Sequence, residues 1–510
     1  MYLLFVALIC LFLYYYTTKN HDYWKKKGVK HDKPIPLFGN NFRQFFQMAS
    51  MTQMATEMYW KYPNERFVGF YRATRPELVI RDPELVKAIL VTDFAHFYPR
   101  GLNPHKTVIE PLLKNLFFAD GDLWRLLRQR LTPAFTSGKL KAMFPMIVER
   151  AEKLQEIALE TASTGKTINI RELMARYTTD FIGACGFGIE ADSLNDENST
   201  FRKLGKRIFH ISTKQALTNL LKFCYPEIFK HLEYFPPEMK ESVLHLMKTV
   251  MEQRNYKPSG RNDFIDLLLE LKEKGKIVGE SIERNNPDGS PRQVDLELDD
   301  MLMASQVFVF FGAGFETSSS STSFTLHQLA FHPEEQKKVQ QNIDEVLKKY
   351  DNKLCYDAVK EMQYLEMAFY ESMRMFPSLG FLIRTCAKKY KIPDSNVTID
   401  EDVSVFIPVQ AMHTDEKYFE EPHKFKPERF HPNAAKNIKK HVYLPFGEGP
   451  RACIGERLGL MQSMAGMAAL LHKFSVEPAE ESLKNPIVDP NATLVQYIKN
   501  GLPLKLVARS

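Results

Sequence analysis

Helical periodicity dominates the hydrophobic pattern of this chain. In several long segments apolar residues recur at three-and-four spacing, which is the pattern of a helix with one buried face. Strand-like runs are short and are confined to two regions, near residue 70 and after residue 400. The predicted helical segments are 136–162, 263–274, 299–329, 333–349 and 357–376. The pattern therefore predicts a mainly α fold with a small sheet near each end of the folded part.

A different pattern opens the chain. Residues 1–18 carry no charge and are almost all apolar or aromatic, and Lys19 ends the run. As a helix these residues span about 27 Å, close to the hydrocarbon thickness of a bilayer. A cleaved signal peptide is the alternative, but no basic residue precedes the run and no small-residue cleavage site follows it. We expect a membrane anchor at residues 1–18, with the lysine-rich flank and the rest of the chain in the cytosol.

The remainder divides simply. Residues 19–40 form a basic, proline-containing connector, in which Pro34 and Pro36 prevent the anchor helix from continuing. Residues 41–510 contain no internal repeat or low-complexity linker and are expected to form one large domain. Turn-forming residues cluster within 272–294, which predicts a long exposed loop there in preference to a domain boundary.

Composition narrows the function only slightly. The chain is 44% hydrophobic and 25% charged, as ordinary globular proteins are. Its net charge of +6 is mild, and no clustered basic stripe predicts a nucleic-acid partner. The 6 cysteines form no CxxC pair and have no regular spacing, which excludes a disulfide framework and a zinc site.

Cys453 has unusual neighbours. It lies in PFGEGPRACIGERLG, residues 445–459, where the glycines permit tight turns and allow the loop to lie flat against a planar partner. A helical pattern follows, and a helix N-terminus stabilises a thiolate. A thiolate with no second Cys or His nearby suits a metal whose other ligands come from a cofactor, such as haem iron. The alternative is an inert buried cysteine in a turn.

A second motif, FFGAGFETSSSS at residues 310–321, lies midway along the predicted helix 299–329. The small residues Ala313 and Gly314 allow a flat ring to approach the helix. Thr317 follows Ala313 by four residues and shares its face. Its hydroxyl can bond back to a carbonyl and loosen the helix, which leaves room for water or dioxygen. Glu316 can relay protons. A glycine-containing helix crossing would have the same letters, so this motif alone is of moderate weight.

Together these motifs resemble the cytochrome P450 family, the haem-thiolate monooxygenases, over essentially the whole chain past the anchor. Details of GAGFETSSS, FGEGPRACIGERLG and FTSGKLKAMFP are most similar to insect microsomal members that metabolise plant toxins and insecticides. The resemblance implies the cytochrome P450 fold, mainly α with small β-sheets, preceded by one N-terminal transmembrane helix. It implies haem b, iron protoporphyrin IX, with Cys453 as the axial ligand, and catalytic roles for Thr317 and Glu316.

The resemblance assigns further residues. It implies a buried structural triad in which Glu371 and Arg374 of ESMR join Arg429 of PERF, whereas the pattern alone also allows an exposed salt bridge. The residues implied to bind the haem propionates are Trp124, Arg128, Arg384 and Arg451. The other implied haem contacts are Ala313, Gly314, Phe446 and Gly455. The residues expected to line the substrate pocket are Phe117, Phe118, Val309, Leu379 and Leu382.

The implied reaction inserts one oxygen atom from O2 into an apolar small molecule at the cytoplasmic face of the endoplasmic reticulum. NADPH electrons would arrive through NADPH–cytochrome P450 reductase, with cytochrome b5 as a second candidate donor. Basic residues near the cysteine loop would attract such an acidic donor, unless they form only a solvated face. These residues are Lys436, Lys439, Lys440 and Arg457.

Other functions remain open at this point. The substrate could be an endogenous lipid or hormone in place of a xenobiotic. A haem-thiolate isomerase or dehydratase acting on a peroxide is a further alternative, as is a haem sensor or carrier without turnover. Retention of Glu316 and Thr317 favours the monooxygenase over both.

Overall fold

The computed structural model describes residues 2–196, 198–209, 212–261, 263–492 and 494–509, and helices dominate it. The first ten helices are α1 Tyr2–Thr18, α2 Tyr23–Lys26, α3 Phe42–Phe45, α4 Met51–Lys61, α5 Pro83–Lys87, α6 Gly121–Leu131, α7 Ser137–Thr164, α8 Ile170–Ile182, α9 Thr200–Phe209 and α10 Thr213–Cys224. The next ten are α11 Pro226–Phe229, α12 Pro237–Gln253, α13 Phe264–Glu273, α14 Asp300–Phe331, α15 Pro333–Lys349, α16 Tyr356–Glu361, α17 Gln363–Met375, α18 Val409–His413, α19 Pro432–Ala435 and α20 Glu456–Lys473. The mainly helical prediction is confirmed.

Small sheets complete the fold. The strands are β1 Phe67–Arg72, β2 Arg75–Ile80, β3 Ile168–Asn169, β4 Ile277–Asn285, β5 Pro291–Leu296, β6 Leu382–Thr385, β7 Tyr390–Lys391, β8 Thr398–Ile399, β9 Ser404–Ile407, β10 Phe474–Pro478 and β11 Pro503–Ala508. The largest sheet has the order β1-β2-β9-β6, with β2 and β9 parallel and the other pairs antiparallel. It joins the two strand regions predicted from the sequence. A second sheet has the order β10-β11-β3.

Helix α14 is the centre of the molecule. Asp299 caps its start, since its carboxylate accepts a hydrogen bond from the backbone N–H of Leu302 at 2.6 Å. It packs against α8, α12, α17 and α20, so most of its circumference is buried. A helix that is apolar all round belongs in the core of a large domain. The largest apolar core surrounds it, and a second lies against the four-stranded sheet.

The predicted loop at 272–294 is wrong as a description of secondary structure. Strands β4 and β5 pair antiparallel there, with Ile277 opposite Leu296, and only the turn and the outer face are exposed. Ile277 is buried, and Ile282 and Val294 pack against the main core. The alternation of apolar and charged residues along these two strands is weak. The turn-forming residues at the tip of the hairpin therefore dominated the pattern and led to the prediction of a loop.

The N-terminal segment is helical over Tyr2–Thr18, and its large apolar side chains are mostly exposed. Met1 lies outside the described residues. Over the described ranges we find no helix that combines the length and the apolar character needed to cross a membrane. Part of the predicted connector packs on the domain, because Trp24 is fully buried and its indole N–H donates to the carbonyl of Phe70 at 3.1 Å.

Candidate active site

The cysteine loop is folded back on itself just before α20. The backbone N–H of Cys453 donates to the carbonyl of Phe446 at 2.9 Å. Gly447 and Gly449 have φ values of +70° and +75°. A Cβ at Gly449 would lie 1.9 Å from the carbonyl oxygen of Leu90, so only glycine fits there. The two glycines therefore have the turning role that the sequence predicted.

Burial raises the pKa of the Cys453 thiol, and the neighbouring Glu456 adds to this rise. A hydrogen bond from the Gly455 backbone N–H and the positive charges of Arg128 and Arg100 act in the opposite direction. Desolvation of the thiol thus outweighs the Gly455 hydrogen bond and the two positive charges. Coordination to a metal removes the proton from such a thiol outright.

The cysteine loop and the central helix each keep exposed surface next to buried residues. Cys453 has exposed surface, although the surrounding protein desolvates its thiol and Arg451 is buried. Ala313 is exposed in the middle of a helix whose residues Gly312 and Phe315 are buried. Phe135 connects the two sites: its ring stacks on Phe310 at 5.5 Å between centroids. The Cβ position of Gly455 lies 3.8 Å from the same ring. The ring of Phe135 therefore lies between the cysteine loop and the central helix.

Backbone carbonyls in the middle of α14 accept hydrogen bonds from side chains. Thr317 Oγ1 donates to the carbonyl of Ala313 at 2.8 Å, which is the backward bond expected from the sequence. Gln462 Nε2 donates to Gly314 O at 3.2 Å, and Thr178 Oγ1 donates to Phe315 O at 3.0 Å. The carbonyls of three successive residues thus accept hydrogen bonds from hydroxyl or amide groups. They lie in the part of α14 that contains the glycines of the motif.

Glu316 has a partner that the sequence did not reveal. Its carboxylate is buried and forms an ion pair with Arg171 of α8. The two residues are 145 positions apart, so no local motif indicates the pair. The guanidinium of Arg171 therefore lies directly beside the Glu316 carboxylate.

The structure brings Glu371, Arg374 and Arg429 together. Glu371 Oε2 lies 2.8 Å from Arg374 Nε, and both side chains are 0% exposed. Arg429 Nε lies 3.2 Å from Glu371 Oε1. Arg374 also donates to the carbonyls of His413 at 2.8 Å and Pro422 at 2.7 Å. The exposed salt bridge that the pattern also allowed is thereby contradicted.

Arginine side chains gather in the region of Cys453, and Arg384 and Arg451 among them are buried. Arg128 donates to the carbonyl of Ala452 at 2.8 Å. Arg384 is 2% exposed, and among the described residues its Nε has no hydrogen-bond partner. Burial and the nearby charge of Arg100 lower the pKa of Arg384 to about 9. A buried cation with a free N–H is costly unless an anion pairs with it.

Arg451 differs from the other expected cations, because each of its guanidinium nitrogens already donates to the protein. Its partners are Tyr98 O at 2.8 Å, Ala119 O at 2.9 Å and the Asp120 carboxylate at 2.9 Å. The guanidinium also lies 4.2 Å from the centre of the Trp124 ring. Arg451 thus ties the cysteine loop to the start of α6.

Arg100 was missed because no motif surrounds it. Burial lowers its pKa to about 10, and its electrostatic neighbours include Asp120, Cys453 and Arg128. It lies 4.2 Å from the centre of the Phe117 ring. Together with Arg128 and Arg384 it gives this region more positive than negative charge. The flat glycine loop, the orphaned Arg384 Nε and this excess of cations fit a planar metal cofactor that carries carboxylates, as haem does.

Of the residues predicted to line a substrate pocket, Phe118 is buried and the other four are half-buried. The rings of Phe117 and Phe118 meet edge to face at 5.3 Å. Val309 precedes Ala313 by four residues and so shares its helix face. Leu382 lies 3.8 Å from the Cβ position of Gly447, next to the cysteine loop, whereas Leu379 pairs with a segment further along the chain. Aromatic residues not predicted from the sequence extend this wall, among them Tyr234, Phe235 and Phe308.

A family model and individual relatives from insects both match this chain to the same protein family. A family model described as Cytochrome P450 matches residues 30–503. Cytochrome P450 6B2 of Helicoverpa armigera is 37% identical over 504 residues, which cover 99% of this chain and 97% of that protein. Probable cytochrome P450 6a13 of Drosophila melanogaster is 37% identical over 484 residues, covering 94% and 93%. Cytochrome P450 6k1 of Blattella germanica is 35% identical over 519 residues, covering 99% and 96%.

Proposed function

This chain belongs to the cytochrome P450 family, the haem-thiolate monooxygenases, and from that premise we propose that it oxidises apolar xenobiotics such as plant toxins or insecticides. The observation that carries the proposal is the exposed face of α14 at Ala313, inside the core, with the Thr317 hydroxyl one turn away. Val309 and the Phe117–Phe118 pair make the adjoining wall apolar. Such walls bind small apolar molecules and leave few polar groups to fix their orientation.

The test is a substrate screen. Purified holoprotein is mixed with plant toxins, insecticides, and endogenous lipids or hormones, and shifts of the Soret band report binding near the haem. Ligands that shift the band are then incubated with NADPH and added reductase, and oxygenated product is measured. Products from the lipids or hormones alone would replace the xenobiotic assignment, and binding without any turnover would favour the sensor or carrier.

In this proposal Cys453 supplies the axial thiolate, and Phe446 and Gly455 shape the flat surface beside it. Arg128 and Arg384 pair with the propionates, Trp124 packs beside them, and Arg451 positions the loop. When bound, haem supplies the activation of O2 for insertion into the substrate. Ala313 and Gly314 would leave room for the cofactor and O2 beside the helix, and Thr317 and Glu316 would hold and deliver protons.

Replacing Thr317 by alanine is expected to uncouple NADPH use from product formation. Removal of the hydroxyl leaves the haem content and substrate-induced spectral shifts nearly intact, because Thr317 is a small side chain on an otherwise unchanged helix. Product per NADPH is expected to fall by about tenfold or more while hydrogen peroxide rises.

Thr317→Ser is the matched control, since it keeps the hydroxyl that donates to Ala313 O. It is expected to retain most of the coupling. Product, peroxide and NADPH are measured together in all the variants. Equal coupling in wild type, Thr317→Ala and Thr317→Ser would show that Thr317 only packs.

We further propose that α1 anchors the enzyme at the endoplasmic reticulum with the catalytic domain on the cytoplasmic side. The helix exposes side chains such as Leu3 at 88% and Phe12 at 65%, which water disfavours and lipid accepts. Deletion of residues 2–18 is expected to release much of the protein from membranes while haem binding persists. The cut leaves the docked Trp24 in place, so loss of all haem from a soluble, folded truncation would contradict an anchor that is separate from the active site.

The electron donor is proposed to be NADPH–cytochrome P450 reductase, with cytochrome b5 as an additional donor. The basic residues near the cysteine loop are exposed, and Lys439 forms only a loose pair with Glu84 at 3.4 Å between Nζ and Oε1, with its side chain 52% exposed. Exposed pairs of this kind contribute little, so these charges remain available to an acidic partner.

Reversing Lys439 and Lys440 to glutamate is expected to slow reduction by reductase several-fold at low ionic strength. The defect should shrink as salt rises, because exposed charges are screened over about 8–10 Å. Stopped-flow reduction in the presence of CO measures it, with Lys349→Glu, on an exposed pair with Glu361, as a surface control. Wild-type reduction rates at low salt would remove the two lysines from the interface.

A further inference from the structure

The hairpin formed by β4 and β5 lies along the outer face of α6, and the contacts begin at the helix start. The backbone N–H of Asp122 donates to Glu283 Oε2 at 3.3 Å. The Asp122 carboxylate in turn accepts hydrogen bonds from Ser281 Oγ at 2.8 Å and from the backbone N–H of Ile282 at 2.8 Å. Ser281 is buried, at 3% exposure, so this is an enclosed contact.

The contacts continue down the helix as the strand runs antiparallel to it. Arg125 Nη2 lies 3.1 Å from Glu280 Oε2, and Arg130 Nη2 donates to Val278 O at 2.9 Å. Between them, a Cβ at Gly279 would lie 2.7 Å from Leu126 Cδ2, so glycine lets the strand approach the helix closely.

These contacts occupy one face of α6. Positions 122, 125, 126, 129 and 130 recur at helical spacing and therefore share that face. Trp124 and Arg128 are four residues apart and lie on the opposite face, where Arg128 bonds to Ala452 of the cysteine loop at 2.8 Å. Helix α6 is thus held between the hairpin and the cysteine loop.

The start of α6 needs a cap from elsewhere in the chain. Asp120 occupies the N-cap position but makes no side-chain cap bond. Its carboxylate instead accepts from the backbone N–H of Arg100 at 2.6 Å and from Arg451 Nη2 at 2.9 Å. The first amides of a helix lack partners within it, and a carboxylate near them is favoured by the helix dipole. Glu283 supplies that carboxylate.

Gly121 makes this approach possible. Its φ is +58°, and a Cβ there would lie 2.4 Å from the carboxyl carbon of Glu283. Any other residue would displace the carboxylate as well as strain the backbone. The position of the Glu283 carboxylate at the helix start therefore depends on Gly121, which precedes it by 162 positions.

We propose that the hairpin is a positioning element for the haem-binding face of α6, with Ser281 and Glu283 as its main contacts. The inference rests on the proposed function, in which Trp124 and Arg128 contact the haem. The hydrogen bonds, the ion pair and the close approach described above all join the hairpin to the opposite face of the helix. The hairpin acts by fixing where α6 begins and how α6 is rotated about its axis. These two features set the positions of the Trp124 and Arg128 side chains.

The experiment measures haem loss from the holoenzyme to excess apomyoglobin, together with hydrogen exchange of the peptide that covers residues 121–131. In the double variant Ser281→Ala, Glu283→Ala, haem is expected to leave about tenfold faster, as it does when residues that support a ligand are removed. Exchange should rise in α6 and not in α20. Arg292→Ala, at an exposed position of β5, is the matched control and should behave as wild type.

Conservative variants separate positioning from general instability. Ser281→Thr keeps the hydroxyl and should retain haem as the wild type does. Glu283→Gln keeps an acceptor oxygen and should lose haem at a rate between those of the wild type and the double variant. Wild-type haem loss from the double variant would overturn the inference, as would equal acceleration by Arg292→Ala. If Arg128→Ala speeds haem loss and the hairpin variants do not, only the hairpin's role fails. If Arg128→Ala also leaves haem loss unchanged, the proposed contact of α6 with haem fails as well.

Discussion

Cys453→Ala is expected to abolish the red-shifted Soret band of the reduced, CO-bound protein and, with it, NADPH-dependent turnover. This is the expected result because that band requires a thiolate ligand and the family's axial ligand is a cysteine. Cys453 is the cysteine in the glycine loop, and it keeps exposed surface there. A water or hydroxide in its place lacks the electron donation that favours O–O cleavage.

Two controls make this measurement specific. Cys453→Ser changes one atom and keeps the size of the side chain, so loss of the band in it cannot be attributed to a packing defect. Cys355→Ser alters another cysteine, whose sulfur caps α16 by accepting from the backbone N–H of Ala358, and serine is a good cap. That variant should keep both band and turnover. Persistence of the band in Cys453→Ala would show that another group ligates the iron.

Glu371→Gln is expected to destabilise the protein by about 3–5 kcal/mol and to lower the yield of holoprotein severely. The reason is that Glu371 neutralises Arg374, whose side chain is 0% exposed, and also contacts Arg429. The amide keeps the shape but leaves two guanidinium charges without their carboxylate. Removing one partner of a buried pair costs far more than the pair contributes to stability.

Unfolding in denaturant, followed by far-UV circular dichroism, measures the loss. Lys424→Ala is the control, because Lys424 and Glu421 also pair across three residues but are 65% and 41% exposed. It should leave the unfolding midpoint nearly unchanged. If the two variants unfold alike, the buried triad does not hold this part of the fold together.

Several features were determined by short stretches of sequence. The helices at 136–162, 263–274, 299–329 and 333–349 appear within a few residues of their predicted bounds, and only 357–376 is divided, at Met362. The Thr317 bond to Ala313 and the Glu371–Arg374 pair join residues four and three apart. Helix geometry alone places residues three or four apart side by side, so their types and spacing are enough to predict the contact.

Only the tertiary structure decided the rest. Arg171 reaches Glu316 across 145 positions, Arg100 joins the cations near Cys453 without any motif, and the hairpin at 277–296 settles on α6. The pKa of Cys453 also depends on how deeply the loop is buried, which the helix start does not reveal. Backbone hydrogen bonding fixes geometry over about one helical turn, whereas burial and charge partners depend on which distant segments pack together. The sequence of this protein by itself therefore determined its local motifs. The packing of remote segments decided which residues contact those motifs and how deeply they are buried.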